Sequence, residues 1–253
     1  MQEKVIYNLL LYAVFISSIL IFAVLLFIKA PYGRHYRGGW GFSASAKVGW
    51  LAMEFPAVAL MIVLFVAGNK TGNIVAIVFL GIWLSHYLHR TFFYPFLMKG
   101  GYKRFPVLLI LFAVIFNSIN SYLNGRYLFY FSDKYPLSWL YDLRFIFGIA
   151  VFFSGLVINT HSDSILRGLR DPESMGYKIP RGGLFKYVSN PNYFGEILEW
   201  VGWAILTWSM AGLAFAVFTI ANLLPRAISN HKWYKSKFPE YPDNRKIIVP
   251  FLY

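Results

Sequence analysis

The chain contains no cysteine, so disulfides and thiolate metal ligands are excluded. Acidic residues are scarce, 11 against 24 lysines and arginines. Only 14% of the residues are charged, against about 25% in a soluble domain. Histidine occurs at five scattered positions, His35, His86, His89, His161 and His231, too few for a histidine-rich metal box. His86 and His89 lie three apart, but no carboxylate completes a triad with them. A Walker A loop is absent, and Gly39, Gly41 and Ala44 match G-x-G-x-x-A outside any βαβ unit. Neither a P-loop nor a Rossmann nucleotide site is therefore indicated.

What the chain has in excess is apolar surface: 58% hydrophobic and 20% aromatic residues in a length of 253. That composition predicts an all-α, polytopic membrane helix bundle. The net charge of +13 falls in short loops between apolar runs. There it sets membrane orientation and does not form a nucleic-acid surface. Neither nucleic acid nor metal is expected as a partner. Membrane lipids and a lipid-like ligand are.

A membrane span needs about 20 apolar residues. Seven such runs are read: Val5–Ile28, Val48–Gly68, Asn73–Met98, Phe105–Gly125, Leu143–Asn159, Tyr193–Trp208 and Ser209–Leu224. Only the weak break Ala211–Gly212 argues for dividing the last two, so six is the alternative count. The first run exceeds a signal-peptide core of about 7–15 residues and lacks a small-residue cleavage site, so it reads as a retained span. Loop one carries Arg34, Arg37 and Lys47, and loop three carries Lys99, Lys103 and Arg104. Loop five and the tail are also basic, with Arg167, Arg170, Lys178, Arg181 and Lys186, then Lys232, Lys235, Lys237, Arg245 and Lys246. Loops two and four are sparse or mixed in charge. The positive-inside rule then puts the N-terminus outside and the C-terminus in the cytosol. The membrane is a bacterial inner membrane or the endoplasmic reticulum, for which the rule is the same. The tail after Pro225 is expected to pack back on the bundle through Trp233, Phe238, Tyr241 and Phe251.

Charged and amide side chains within membrane spans are costly, and they mark function. Glu54, Arg90, Asn159, Asp163, Asn192, Glu196, Glu199 and Arg226 all fall near the cytosolic ends of their spans. The expectation is a polar chamber at that depth. Asn159, Asp163, Arg167 and Arg170 are spaced to share a helix face, as are Trp50 with Glu54, Asn192 with Glu196, and Tyr87, Arg90 and Tyr94. Arginines that fork onto phosphate, beside carboxylates and amides that accept hydrogens from ribose or a base, suit a nucleotide.

These residues carry a family likeness. The matching segments are Glu54-Phe55-Pro56, His86 to Phe92, Asn159 to Asp163, Tyr177 to Pro180, Gly182 to Phe185, Tyr187-Val188-Ser189 and Asn192 to Trp200. In the tail they are Arg226-Ala227, Tyr241-Pro242, Arg245-Lys246 and Pro250-Phe251. Through them the chain resembles the steroid 5α-reductase (3-oxo-5α-steroid 4-dehydrogenase) family over essentially its whole length. The C-terminal motifs are shared with sterol C14 reductases, enoyl-CoA reductases and isoprenylcysteine methyltransferases. The Glu54 and His86–Phe92 motifs are far more specific to the 5α-reductases.

The resemblance implies one integral-membrane reductase domain over 1–253, with a substrate-side half in about 1–140 and an NADPH-binding half in about 141–253. It implies a seven-span bundle enclosing NADPH and a 3-oxo-Δ4 steroid, with the cofactor site facing the cytosol. The family's nicotinamide pocket maps onto Trp50, Arg90 and Tyr94. Its phosphate and adenosine contacts map onto Asn159, Asp163, Arg170, Tyr177, Asn192, Glu196, Arg226 and Tyr234, with Tyr32 and Arg34 as weaker candidates. Its substrate-polarising pair maps onto Glu54 and Tyr87. Glu54 would act as a donor when protonated, or by orienting Tyr87. Its apolar neighbours Leu51, Phe55 and Pro56 are expected to disfavour the charged form. Three departures stand out: Phe112 where an arginine is frequent, Asn230-His231 in place of a longer histidine run, and Met53 where glutamine is common.

The alternatives are a related membrane reductase of another enone, sterol, enoyl or polyprenoid substrate, a membrane methyltransferase, and a non-catalytic lipid-binding or transport protein. A methyltransferase leaves Glu54 and Tyr87 without a role. A transporter predicts inverted repeats, and the sequence shows none.

Overall fold

The computed structural model describes residues 1–31, 33–99, 104–170 and 176–253. They form two compact units: Met1–Tyr12 with Pro31–Ile146, and Ala13–Ala30 with Phe147–Tyr253. Among the described residues six helices are long and apolar enough to cross a membrane, as in a multi-pass protein. Among the described residues the architecture is mostly helical, with one two-stranded sheet. β1 (Ser43–Ser45) pairs antiparallel with β2 (Arg104–Pro106), Ala44 opposite Phe105. An all-α expectation misses this pair because three residues per strand leave no readable alternation.

In the first unit, α1 (Gln2–Phe27) begins, α2 (Ala46–Val66) and α3 (Ile74–Leu88) follow, and α5 (Val107–Arg126) packs along α2. Ser45 caps α2 by accepting from the Val48 N–H at 3.3 Å, and Asn73 caps α3 by accepting from the Ala76 N–H at 3.1 Å. The span read as Asn73–Met98 is not one continuous α-helix. After α3 comes a π-turn over His89–Phe93, then a short α4 (Tyr94–Leu97). π-turns of this kind are frequent at functional sites. At one end of the unit, Arg126 grips Glu3 through two bonds of 2.7 Å, and Lys70 meets Asp133 at 2.6 Å. The start of α1, the exit of α2 and the exit of α5 therefore lie on the same side, as alternating passes require.

In the second unit, α6 (Leu143–Gly168, entered from the first unit) packs on α7 (Pro191–Thr207), and α7 on α8 (Met210–Lys237). The α6–α7 contact is backbone to backbone. A Cβ built on Gly155 would lie 2.5 Å from the Gly195 carbonyl oxygen, and one on Gly195 would lie 2.5 Å from the Asn159 nitrogen. Gly148 and Gly202 repeat the arrangement one heptad away. Small residues that let helices touch are a membrane packing device.

α7 and α8 are separate helices, divided where the two runs were bounded, at Trp208, whose φ is 44°, and at Ser209, which caps α8. Ala211 and Gly212 lie inside α8. Pro225 does not end the last helix, which runs on to Lys237. A proline removes one N–H donor, and a helix held by neighbours on both sides of it survives that loss. α7 has 17 residues and falls short of the usual spanning length. The tail does pack on its own unit, with Tyr241 and Ile248 buried and Val188 bridged to Lys246.

Candidate active site

Two contacts set the register of α2 against the helix formed by α3 and its π-turn. The Trp83 indole N–H donates to the Ala57 carbonyl at 2.9 Å, and the Arg90 guanidinium lies 4.8 Å from the Trp50 ring. Seven residues, two helical turns, separate these contacts on both helices. Between them, one turn from Ala57 and one from Trp83, stand Glu54 and Tyr87. The antiparallel register places them at one level. Tyr87 is buried, tilted over Trp83 at 4.9 Å and edge-on to His86 at 5.0 Å.

Arg90 is buried between two rings, Trp50 at 4.8 Å and Tyr94 at 4.6 Å, which themselves meet at 4.9 Å. A guanidinium over aromatic faces is held by the ring quadrupoles. The Trp50 indole nitrogen is buried with no hydrogen-bond partner. This cluster presents a planar aromatic and cationic surface plus one unused donor.

Glu54 is half-buried, and Phe55 is 50% exposed. What meets Glu54 is Asn117 of α5, whose amide nitrogen lies 3.4 Å from Glu54 Oε2 and 2.6 Å from the Met53 carbonyl. Sequence reasoning missed Asn117. The only available signal was its spacing with Asn120, Ser121 and Asn124 on one face of an apolar span. Arg34 of the first unit is half-buried in a turn at Gly33–His35, and Tyr32 lies outside the described residues.

The second unit ties its polar residues into a chain. Asn159 donates to the Asn192 carbonyl at 2.9 Å, and the Asn192 amide donates to Asp163 Oδ1 at 3.2 Å. Asn159 and Asp163 are buried, while Glu196 is half-buried one turn beyond Asn192. Glu199 is fully buried at the contact with Gly155. Tyr234 is buried and stacked on Tyr241 at 5.2 Å, and Tyr177 meets Trp233 edge-on at 5.2 Å. Arg226 is half-buried on α8. The shared face read from Asn159 to Arg170 is shorter than expected. α6 ends at Gly168, which leaves Arg170 exposed beyond it.

Around this chain the loop before α7 is fastened by residues that sequence reasoning did not single out as functional. Ser189 Oγ lies 2.6 Å from His231 Nδ1 and 2.7 Å from the Tyr241 hydroxyl. The Asn190 amide donates to the Ala227 and Ile247 carbonyls at 3.1 and 3.0 Å, and its oxygen accepts from Asn230 at 3.0 Å. The loop, α8 and the tail are thereby locked together. Among the described residues no three His, Asp or Glu side chains gather as a metal site would require.

Comparison with known proteins identifies the family. The profile of the 3-oxo-5-alpha-steroid 4-dehydrogenase family matches residues 103–253, more than half of the chain. Steroid 5-alpha-reductase DET2 of Solanum lycopersicum is 42% identical over 100% of this chain and 99% of its own length. The 3-oxo-5-alpha-steroid 4-dehydrogenase 1 of Bos taurus is 42% identical over 100% and 99%. The Homo sapiens protein of that name is 44% identical over 89% and 87%. A protein carrying these segments over its full length, on helices that set Glu54 level with Tyr87, belongs to the 3-oxo-5-alpha-steroid 4-dehydrogenase family and is an oxidoreductase.

Proposed function

We propose that this enzyme reduces the C4=C5 double bond of 3-oxo-Δ4 steroids to 5α-reduced 3-oxosteroids with NADPH. The observation that carries the reading is the register of α2 on α3, which sets two potential donors, Glu54 and Tyr87, one turn from the Trp50–Arg90–Tyr94 stack.

The residues present fit the cofactor. The stack offers a flat face and the unpartnered Trp50 indole N–H to the nicotinamide end. Asn159, Asp163, Arg170, Tyr177, Asn192, Glu196, Arg226 and Tyr234 offer amides, carboxylates, phenols and guanidinium groups to the phosphates and adenosine, with Arg34 as a further cation. When bound, NADPH supplies a hydride to C5, the β-carbon of the enone.

The chain's own part is to hold the ketone and stabilise the charge that gathers on its oxygen. The Tyr87 hydroxyl donates to that oxygen as it becomes an enolate. Glu54, carrying a proton, is the second donor. A tyrosine beside a neutral carboxylic acid serves a steroid oxygen in ketosteroid isomerase by the same logic. A proton delivered to C4, from water or from a side chain, completes the reduction.

In the membrane we place the N-terminus outside and the cofactor residues toward the cytosol, with α7 as a seventh pass. Supporting this are the basic odd-numbered loops and the common side shared by the ends of α1, α2 and α5.

The test is an NADPH-dependent assay of detergent-purified protein with testosterone or progesterone, identifying the product. A 5α-reduced product made by wild type and lost in Tyr87→Phe supports the reading. No product despite tight NADPH binding redirects the search to another enone. No NADPH binding overturns it.

A further inference from the structure

Arg245 lies in the tail, takes no part in the proposed chemistry and is buried without a counter-charge. It is 6% exposed, and its Nη1 is buried with no hydrogen-bond partner. Among the described residues no carboxylate pairs with it. The acid nearest in sequence, Asp243, lies 3.8 Å from Lys235 instead, with its own side chain 99% exposed. What meets the guanidinium is the ring of Tyr241, whose centroid is 5.1 Å from Arg245 Cζ. Arginine does not lose its proton in a protein. Taking an ion out of water without a partner costs more than one aromatic face offsets.

The surroundings hold this side chain where it is. The Arg245 N–H donates to the Pro242 carbonyl at 3.4 Å. Lys246 is tied on both sides, its N–H donating to the Tyr187 carbonyl at 2.8 Å and its carbonyl accepting from the Ser189 N–H at 2.9 Å. Tyr241 is itself buried, stacked on Tyr234 at 5.2 Å and bonded through its hydroxyl to Ser189 Oγ at 2.7 Å. Backbone and ring platform are therefore both fixed. Lys235 and Lys246 are exposed, so the charge next to Arg245 is positive on balance, with Asp243 the acid among them. Such a field favours an anion.

We propose that Arg245 anchors an anion site in the tail of the second unit, and that its ligand is a phosphate group. The planar fork of arginine matches two phosphate oxygens, and a fork already fixed in place binds without reorganising. A lipid headgroup and a soluble phosphate compound share this chemistry, and the experiment separates them. The site does not rest on the proposed steroid reduction.

The experiment is thermal unfolding of the delipidated full chain in detergent, with inorganic phosphate or with sodium chloride at equal ionic strength. Wild type is compared with Arg245→Met, which keeps length and the contact with Tyr241 but removes the charge. Without phosphate, Arg245→Met should unfold at or above the wild-type temperature, because an apolar chain replaces a buried charge that lacks a partner. Phosphate should raise the wild-type midpoint beyond the chloride control, and should raise that of Arg245→Met by less. Arg245→Lys keeps the charge but not the fork, and should bind phosphate about tenfold more weakly. If Arg245→Met is less stable than wild type by the same margin with and without phosphate, Arg245 is a packing residue and the proposal falls. A wild type that phosphate stabilises no more than chloride does also overturns it. Should Arg245→Met not fold, the phosphate affinity of Arg245→Lys decides.

The source of the phosphate is read on the same protein saturated with NADPH. A phosphate effect that persists there, and that phosphatidylglycerol reproduces but phosphatidylcholine does not, assigns the site to an anionic headgroup. One that persists without any lipid effect assigns it to a free phosphate compound. One that NADPH abolishes, with weaker NADPH binding in Arg245→Met, assigns it to the cofactor. If NADPH does not bind at all, the cofactor reading fails, and the phosphate-dependent unfolding still decides the role of Arg245.

Discussion

Around Arg90 the first unit packs a cation between aromatic rings, whereas around Asn192 the second unit bonds its polar groups in series. Arg90 lies between two aromatic faces, and the Trp50 indole N–H next to it has no partner. In the second unit, Asn159, Asn192 and Asp163 bond in series, and Ser189 and Asn190 tie the adjoining loop to α8 and the tail. On the proposed reading, the first unit serves the substrate and the nicotinamide end of the cofactor, and the second serves its phosphates and adenosine. A ring stack tolerates different apolar shapes and leaves a donor for a substrate or cofactor. A satisfied amide network holds its geometry before anything binds.

The largest effect should come from the first unit. Glu54→Ala and Tyr87→Phe are each expected to lower kcat about 100–1,000-fold, the usual loss of an oxyanion donor, while NADPH still binds. Glu54→Gln keeps a donor and should cost less. Comparable kcat losses from substitutions in the second unit would break the division of labour.

Next in size is the helix contact beneath the second unit's network. Gly195→Ala would drive a Cβ to 2.5 Å from the Asn159 nitrogen. Backbone has to move, and overpacking of this kind costs about 1–3 kcal/mol. A lower melting temperature in detergent, with weakened NADPH binding, is the expected pair of results. An unchanged melting temperature would show that α6 and α7 are held elsewhere.

Smaller again is Asn192→Ala, which breaks the link between Asn159 and Asp163. Roughly tenfold weaker NADPH binding is expected, with kcat at saturating NADPH nearly unchanged. A fall in kcat with unchanged NADPH affinity would reverse the roles given to the two units.

The smallest effect belongs to Asp142, at the entrance to α6. Its carboxylate accepts from the Arg144 side chain and backbone N–H, which lower its pKa to about 2. The folded value lies below the unfolded value of about 3.9, so the group stabilises the fold above that pH and loses this contribution as pH falls toward 2. Asp142→Asn should lower the melting temperature slightly at neutral pH, and the difference should vanish in acid. A difference that persists below pH 2 would point to a packing role.

Much of the site is legible where it is local. The spacing of Tyr87, Arg90 and Tyr94 anticipates a common face, and the structure adds the π-turn that carries Arg90 between its rings. The four-residue step from Asn159 to Asp163 likewise survives, but the helix stops before Arg170. Asn117 went unread because its partner on α2 is 64 residues away. The glycines of α6 and α7 look like weak points in helices until their pairing makes them the contact itself. Pro225 reads as a stop, yet α8 continues past it.

The sequence by itself determined a multi-pass helical protein with costly polar residues at particular helix positions, and it pointed to the family. Hydropathy, loop charge and helical spacing are local quantities, and local patterns carry them. Only the tertiary structure decided which polar atoms meet: Asn117 with Glu54, Asn192 with Asp163, Ser189 with His231. Those pairings depend on how each helix is rotated, kinked and spaced against a neighbour many residues distant, and packing alone sets these.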